Sequence, residues 1–312
     1  MESTGRFAST IHRLLEFDVS IMKFKHDEKN PLKGEFIIID EASMIDVFLM
    51  HSLLKALPKS CHVILIGDID QLPSVGPGNI LSDIIESQII PTTKLNFIFR
   101  QAEGSMIKSN AHKVNSGEFI KSGDDFIFIK EDDPEKIYQH LEKIYTYTLP
   151  LKQIKQQDSI ILTPMNRASA GTQVLNNLCQ KLLNASETTG ILVKGVTIKK
   201  NDRVMQITNN YEKNVFNGDI GQIINISPEI VDINFSDRVV QYENYELDQI
   251  VLAYATTVHK SQGSEFDAVI MPIFTQHFTL LQRNLIYTAI TRAKKLCIII
   301  GQTKAIAMAI NN

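Results

Sequence analysis

The stretch Phe36-Ile37-Ile38-Ile39-Asp40-Glu41-Ala42-Ser43 decides the fold. Its four apolar residues, three of them β-branched, predict a buried parallel strand. The run ends in two carboxylates, and Ser43 fits the N-cap of a following helix with Asp46 as its capping-box partner. An acidic pair at the carboxyl end of a buried strand is where an α/β sheet places a metal–nucleotide site. The alternative is a strand end that carries two solvated acids.

Composition describes an ordinary globular protein of about two domains. The chain has 312 residues, 44% of them hydrophobic and 21% charged, with a net charge of −3. That charge excludes a global attraction to nucleic acid or membrane, so any DNA contact must use a local basic surface. Cys61, Cys179 and Cys297 are odd in number and far apart, which indicates reduced core thiols. No run has transmembrane length and no apolar signal core opens the chain, so we expect a cytoplasmic protein.

A second strand-like run leads into a polar loop, Val63 to Gly78. A tight turn explains its glycines and prolines. It does not explain why Asp68, Asp70 and Gln71 cluster where the strand ends. Together with Asp40 and Glu41, they predict the second lip of one crevice.

The remainder of the chain alternates further strands and helices, with one interruption. Residues 201–250 contain short β-type runs separated by Asn217-Gly218-Asp219 and Ser227-Pro228, which predict a small antiparallel barrel inserted into an α/β domain. The alternation around residues 18–34 predicts a short hairpin or an extended loop.

Six stretches in one order resemble the motor core of the RecD-type, 5′-to-3′ branch of superfamily 1 DNA helicases. They are IIIDEAS (37–43), GDIDQLPSVGPG (67–78), FRQ (99–101), LTPMNR (162–167), VHKSQGSEFD (258–267) and YTAITRAKK (287–295). The second is specific by itself, whereas the acidic tetrapeptide alone is weak. A superfamily 1 RNA helicase would share the chemistry, but the DQLPSVGPG form favours the DNA branch.

The resemblance implies an α/β fold of two RecA-like parallel-sheet domains. The first, incomplete domain would span 1–125, with a hairpin insert at about 18–34 as a candidate strand-separating pin. The second would comprise 126–200 and 251–312, interrupted by an SH3-like β-barrel at 201–250.

The resemblance also implies a role for each motif in the use of ATP and Mg²⁺. Asp40 would hold the metal, Glu41 would polarise the attacking water, and Gln71 would sense the γ-phosphate. Arg100 and Arg292 would act as arginine fingers, since a guanidinium pairs two phosphate oxygens and stays charged. Gly263 and Glu265 would contact the nucleotide, Glu265 at the ribose. The strand ends that carry these residues would meet across a cleft that opens and closes with hydrolysis.

Single-stranded DNA would cross both domains. The candidate contacts to its backbone are Thr163, Asn166, His259 and Lys260, while Pro73 and Val75 would lie near the bases. A solvated loop is the alternative for His259 and Lys260.

The family's phosphate loop, G-x-x-x-x-G-K-[ST], does not occur in these residues, and neither does any Gly-Lys dipeptide. We therefore expect the chain to begin downstream of that loop. A split gene, a mis-called start codon and a decaying remnant are the possible origins. The isolated chain should hydrolyse little ATP unless a separate chain supplies the loop. The predicted function is thus an ATP-dependent 5′–3′ DNA translocase of recombination and repair, with other repair subunits as candidate partners. The alternative is a catalytically silent remnant that binds single-stranded DNA or a partner.

Overall fold

The computed structural model describes residues 8–18, 20–95, 104–235 and 238–312. The chain divides into two compact units, residues 1–97 and 98–312. The predicted FRQ motif, with Arg100, lies outside the described residues.

The first unit is a small parallel α/β arrangement. Its elements are α1 (Ile11–Leu14), β1 (Phe17–Asp18), β2 (Lys23–Phe24), β3 (Phe36–Ile39), α2 (Val47–Ala56), β4 (His62–Leu65) and α3 (Ile80–Ser87). Strands β3 and β4 pair in parallel, with Phe36 opposite His62 and Ile39 opposite Leu65. The predicted parallel strand is therefore confirmed in its position and direction.

The prediction that β3 is buried on both faces is wrong. Ile39 is 5% exposed and packs in a cluster with Leu53 and Leu81, and Ile37 joins it. Ile38, which points to the other face because side chains alternate along a strand, is 64% exposed. Phe36 on that same face is 66% exposed. Within the described part of the first unit, the core thus forms on one face of the sheet.

The predicted cap of the following helix is also wrong. Ser43 lies inside a 3₁₀ turn, Ala42–Met44, and its buried hydroxyl has no hydrogen-bond partner among the residues that the structure describes. Because the 3₁₀ turn occupies residues 42–44, the α-helix begins only at Val47. Asp46 is its N-cap, and its Oδ1 accepts a hydrogen bond from the Leu49 N–H at 2.8 Å.

The hairpin predicted at about 18–34 is present but shorter and earlier. Strands β1 and β2 pair antiparallel over two residues each, with Phe17 opposite Phe24. Residues 25–35 contain no strand.

The second unit contains a parallel sheet, an antiparallel sheet and their helices. Its helices are α4 (Met106–Asn115), α5 (Ile137–Lys143), α6 (Leu149–Leu151), α7 (Thr172–Leu183), α8 (Arg283–Thr291) and α9 (Thr303–Asn311), with a π-helical turn at Ile144–Thr148. Its strands are β5 (Phe126–Lys130), β6 (Ser159–Thr163), β7 (Gly190–Val193), β8 (Val196–Lys199), β9 (Arg203–Gln206), β10 (Ile220–Ile226), β11 (Ile230–Phe235), β12 (Arg238–Glu243), β13 (Ile250–Leu252), β14 (Ala255–Thr257), β15 (Phe266–Ile273) and β16 (Ala293–Gly301).

The five strands of the parallel sheet run in the order β14-β6-β15-β16-β5. Every residue of β6 is buried, as are most of β15 and β16, which fits strands covered on both faces. The predicted RecA-like parallel sheet is confirmed. Helix α4 packs against α8 and β16, so residues 106–115 associate with this unit, whereas sequence analysis placed the domain boundary at 125.

The predicted β insert forms an antiparallel sheet in the order β12-β11-β10-β9-β13. Four of its strands match the β-type runs in the sequence, whereas the fifth, β13, was predicted to belong to the α/β domain. The β7–β8 hairpin, which precedes the insert, was not predicted.

Buried Asp202 ties the insert to α7. Its carboxylate accepts hydrogen bonds from Asn184 Nδ2 at 2.7 Å, Tyr254 Oη at 2.8 Å and the Lys199 N–H at 2.7 Å.

None of the helices in the described ranges is long and apolar enough to cross a membrane.

Candidate nucleotide and nucleic-acid sites

The first unit groups its acidic residues where β3 and β4 end. Asp40 is exposed, and its Oδ1 accepts a hydrogen bond from the Glu41 N–H at 2.9 Å. Glu41 has φ +52° and ψ +41°, the left-handed region that a side chain with a Cβ rarely adopts. Backbone strain of this kind concentrates at functional sites, because the surrounding structure holds it in place. The left-handed backbone at Glu41 turns the chain sharply next to the Asp40 and Glu41 carboxylates.

A close contact between the two loops holds this turn. The Ala42 N–H donates to the Ile66 carbonyl at 2.8 Å. A Cβ at Gly67 would lie 2.7 Å from Leu81 Cδ2 and 3.0 Å from the Ser43 nitrogen. Glycine is therefore required here because the loop after β4 touches the turn after β3.

Gln71 is held by the same loop. Its Nε2 donates to Asp68 Oδ2 at 3.3 Å, and its N–H to the Asp68 carbonyl at 3.3 Å. The predicted grouping of Asp68 and Gln71 at one strand end is what the structure shows. Asp40 and Glu41 follow the neighbouring strand, so all four residues lie at one edge of the β3–β4 sheet.

The remainder of this loop returns to the start of α2. The Val47 N–H donates to the Pro77 carbonyl at 3.0 Å, and a Cβ at Gly76 would lie 2.0 Å from Asp46 Oδ2. The glycines and prolines thus form a tight turn, which is the structure that these residue types predict. Val75 at the apex is 91% exposed and the neighbouring Pro73 is half-buried. Val75 therefore offers an apolar surface to solvent.

Asp40 suits Mg²⁺ only together with other ligands. Across the described residues, no three His, Cys, Asp or Glu side chains gather as a metal site. Mg²⁺ in nucleotide enzymes typically takes one or two carboxylates plus phosphate oxygens and water. An exposed carboxylate at a strand end fits that requirement.

The second unit places its predicted nucleotide residues at the amino edge of the parallel sheet. Glu265 precedes β15 and Arg292 precedes β16, so these residues lie at the starts of strands, contrary to the expectation of strand ends. Arg292 is 2% exposed, and its Nη1 donates to the Ser264 carbonyl at 3.3 Å. Glu265 Oε2 lies 3.4 Å from Lys294 Nζ. Exposed Gly263, at φ +76°, begins this turn.

The predicted DNA-contacting residues lie at the opposite, carboxyl edge. Thr163 is fully buried, and its hydroxyl donates to the Ala170 carbonyl at 2.6 Å. Asn166 is exposed, and its Oδ1 accepts from Thr172 Oγ1 at 3.0 Å. Burial lowers the pKa of His259, so this side chain is neutral at pH 7. Lys260 is exposed and carries the positive charge of its loop.

Asn166 and Lys260 line one cavity of about 660 Å³ in the second unit. Arg167, the first turn of α7 and the tip of the β7–β8 hairpin line it as well. Arg167 and Lys194, the latter at the hairpin tip, were not among the site residues predicted from the sequence. Gly195, between two valine-bearing runs, was the available turn signal for this hairpin.

Three protein-family models match the chain. An AAA domain matches residues 1–77, the SH3 domain of ATP-dependent RecD-like DNA helicases matches residues 175–242, and a UvrD-like helicase C-terminal domain matches residues 252–300.

Curated relatives match nearly the whole chain. The ATP-dependent RecD2 DNA helicase of Deinococcus radiodurans is 35% identical over 294 residues, covering 94% of this chain and 40% of that protein. The RecBCD enzyme subunit RecD of Mycolicibacterium smegmatis is 29% identical over 329 residues, covering 98% and 57%. The chain thus spans about half the length of the curated relatives it matches.

Solved structures share the fold. A Pif1 helicase from Bacteroides, solved with ADP-AlF3 and ssDNA, has a TM-score of 0.60 at 17% identity, covering 96% of this chain and 80% of that one. A structure of Pif1 helicases at forked dsDNA has a TM-score of 0.59, also at 17% identity, covering 96% and 79%.

Proposed function

Because the chain belongs to the RecD-like branch of the superfamily 1 helicases, we propose that it is the core of an ATP-driven motor that moves 5′ to 3′ on single-stranded DNA. The observation that carries this proposal is the interlocked pair of loops in the first unit. These loops place Asp40, Glu41, Asp68 and Gln71 at one edge of a parallel sheet.

In this proposal each residue of that edge has one task. Asp40 would hold Mg²⁺, and the ion would supply positive charge to neutralise the phosphates of ATP. Glu41 accepts a proton from the attacking water, and the strained backbone turn at Glu41 sets the direction of its carboxylate. Gln71, oriented by Asp68, donates its amide N–H to the γ-phosphate.

The second unit supplies charge and DNA contacts. Arg292 is ordered against the Ser264 carbonyl, so its guanidinium is preorganised for developing phosphoryl charge. Arg100 acts with it as a second finger. Asn166 and Lys260 bind the DNA backbone from the carboxyl edge, and neutral His259 adds a hydrogen bond but no charge. Thr163, which is buried, shapes the loop that carries Asn166 through its hydrogen bond to the Ala170 carbonyl.

We also propose that residues outside these 312, on the same or a separate polypeptide, supply the phosphate loop. The exposed apolar face of β3 supports this, because such a face is the usual seat of further sheet-packing elements. Other recombination or repair subunits are further candidate partners, by analogy with the RecD subunits among the relatives.

ATP turnover with and without an oligo-dT strand tests the proposed function. We expect little phosphate release from the 312-residue chain. DNA-stimulated release should appear once a polypeptide that carries the strand, phosphate loop and helix of a RecD-like relative is added.

Glu41→Gln should lower that stimulated turnover by about 100-fold or more while DNA binding persists, because the general base is lost. Exposed Glu86→Gln, on α3 and outside the acidic group, is the matched control. Turnover that survives Glu41→Gln would contradict the assignment. DNA binding without any turnover under these conditions would favour the silent DNA-binding alternative.

A further inference from the structure

The tip of the β7–β8 hairpin carries a lysine at a position that suits Gly or Asn. Val193 pairs with Val196, which leaves Lys194 and Gly195 as a two-residue turn. Both have positive φ, +46° for Lys194 and +83° for Gly195, as a type I′ turn requires. Asn-Gly is the favoured pair for such a turn, so the lysine is strained there. A side chain kept against its local preference suggests a role for its charge.

The Lys194 ammonium group makes a weak contact with Asp248. Lys194 Nζ lies 3.3 Å from the Asp248 carbonyl and 3.7 Å from Asp248 Oδ2. Both side chains are more than half exposed, so the ion pair is weak. The contact holds the hairpin tip against the segment that precedes β13.

The hairpin also forms one wall of the 660 Å³ cavity. Val193, Lys194, Val196 and Ile198 of the hairpin line this cavity together with Asn166, Arg167 and Lys260. The only carboxylate among the lining residues is Asp248, against three cations. An anion of extended shape matches this arrangement of charges.

We propose that the β7–β8 hairpin is a strap over the single-stranded DNA track and that Lys194 moves from Asp248 to a DNA phosphate when DNA is bound. The Lys194–Asp248 pair is long, at 3.7 Å, and exposed, so a DNA phosphate that comes within hydrogen-bond distance of Lys194 Nζ replaces it. The aliphatic residues of the hairpin would face the sugars and bases of the same nucleotides. This inference rests on the proposed function, since it adds a contact to the DNA track.

Lys194→Asn separates binding from folding. Asn-Gly suits the turn better than Lys-Gly, so thermal stability should stay equal or rise. Affinity for fluorescein-labelled dT20, measured by anisotropy, should fall about fivefold at low salt. The slope of log affinity against log salt should shrink by about 0.7, the amount for one phosphate contact on a single strand. Lys181→Gln, which removes an exposed charge from the last turn of α7 away from this cavity, should change neither quantity.

Asp248→Asn tests the exchange in the opposite direction. It leaves the backbone carbonyl in place but removes the competing charge, so dT20 should bind about twofold to threefold more tightly. If the wild-type chain binds dT20 and Lys194→Asn binds it with the same affinity and salt dependence, the strap is overturned and the proposed function stays intact. Absence of binding by the wild-type chain would overturn both the DNA track and the strap.

Discussion

At the scale of the residue, His277 shows how burial sets chemistry in the second unit. Its side chain is fully buried in the 3₁₀ turn after β15. Nδ1 accepts a hydrogen bond from the Phe274 N–H at 3.3 Å, which requires an unprotonated Nδ1. Burial lowers the pKa of His277 to about 4.

His277 should make stability depend on pH between about 6.5 and 4. The unfolded chain binds a proton below pH 6.5, whereas the folded chain resists it until about pH 4, so stability is complete above 6.5 and falls as the pH drops. From pH 7 to pH 5 the loss should be about 2 kcal/mol. Urea unfolding at both pH values would measure it.

His277→Asn is expected to be less stable at pH 7 but to lose this part of the pH dependence. Exposed His51→Asn is the control and should keep it. Equal pH dependence in wild type and His277→Asn would contradict the burial argument.

At the scale of the element, the start of α2 shows that a sequence pattern and the structure can give different N-cap residues. The sequence predicts Ser43 as the N-cap and Asp46 as its capping-box partner, and only backbone geometry decides which of the two caps the helix. The structure gives the bond to Asp46.

Asp46→Ala should destabilise the protein by about 1 kcal/mol, because an N-cap acceptor is lost. Ser43→Ala should change stability by less than about 0.5 kcal/mol, because no group in the described part of the chain forms a hydrogen bond with its buried hydroxyl. Chemical denaturation of the two variants measures both effects. A larger loss for Ser43→Ala would restore the cap predicted from the sequence.

At the scale of the whole molecule, the uncovered face of β3 is the feature with the widest consequence. An apolar sheet face favours association with other surfaces, and open strand edges add to this. Adjacent residues of one strand test the idea, because they point to opposite faces.

Ile38→Thr should leave stability within about 0.5 kcal/mol of wild type and reduce self-association, since Ile38 is 64% exposed. Ile39→Thr, at 5% exposure, should cost about 2 kcal/mol, since it buries a hydroxyl in the core. Light scattering and urea unfolding would compare them. If Ile38→Thr proves as destabilising as Ile39→Thr, the face is covered in solution.

Much of the second unit was predictable because its strands are apolar on both faces. The runs that form β6, β15 and β16 stand out from their surroundings without any tertiary information. Strand β13 and the β7–β8 hairpin were missed because three or four residues carry too little periodicity to separate a strand from a loop. Burial was the property of the first unit that the sequence predicted least well, because the apolar character of a residue does not show whether another segment covers it.

The sequence by itself determined the order of the motifs, the class of the fold and the residue types that chemistry requires, because these depend on composition and spacing along the chain. Only the tertiary structure decided that Glu41 adopts a left-handed backbone, that β3 is buried on one face, and that Arg292 and Lys260 lie at opposite edges of one sheet. Those properties depend on which distant segments come into contact, and no local pattern encodes that.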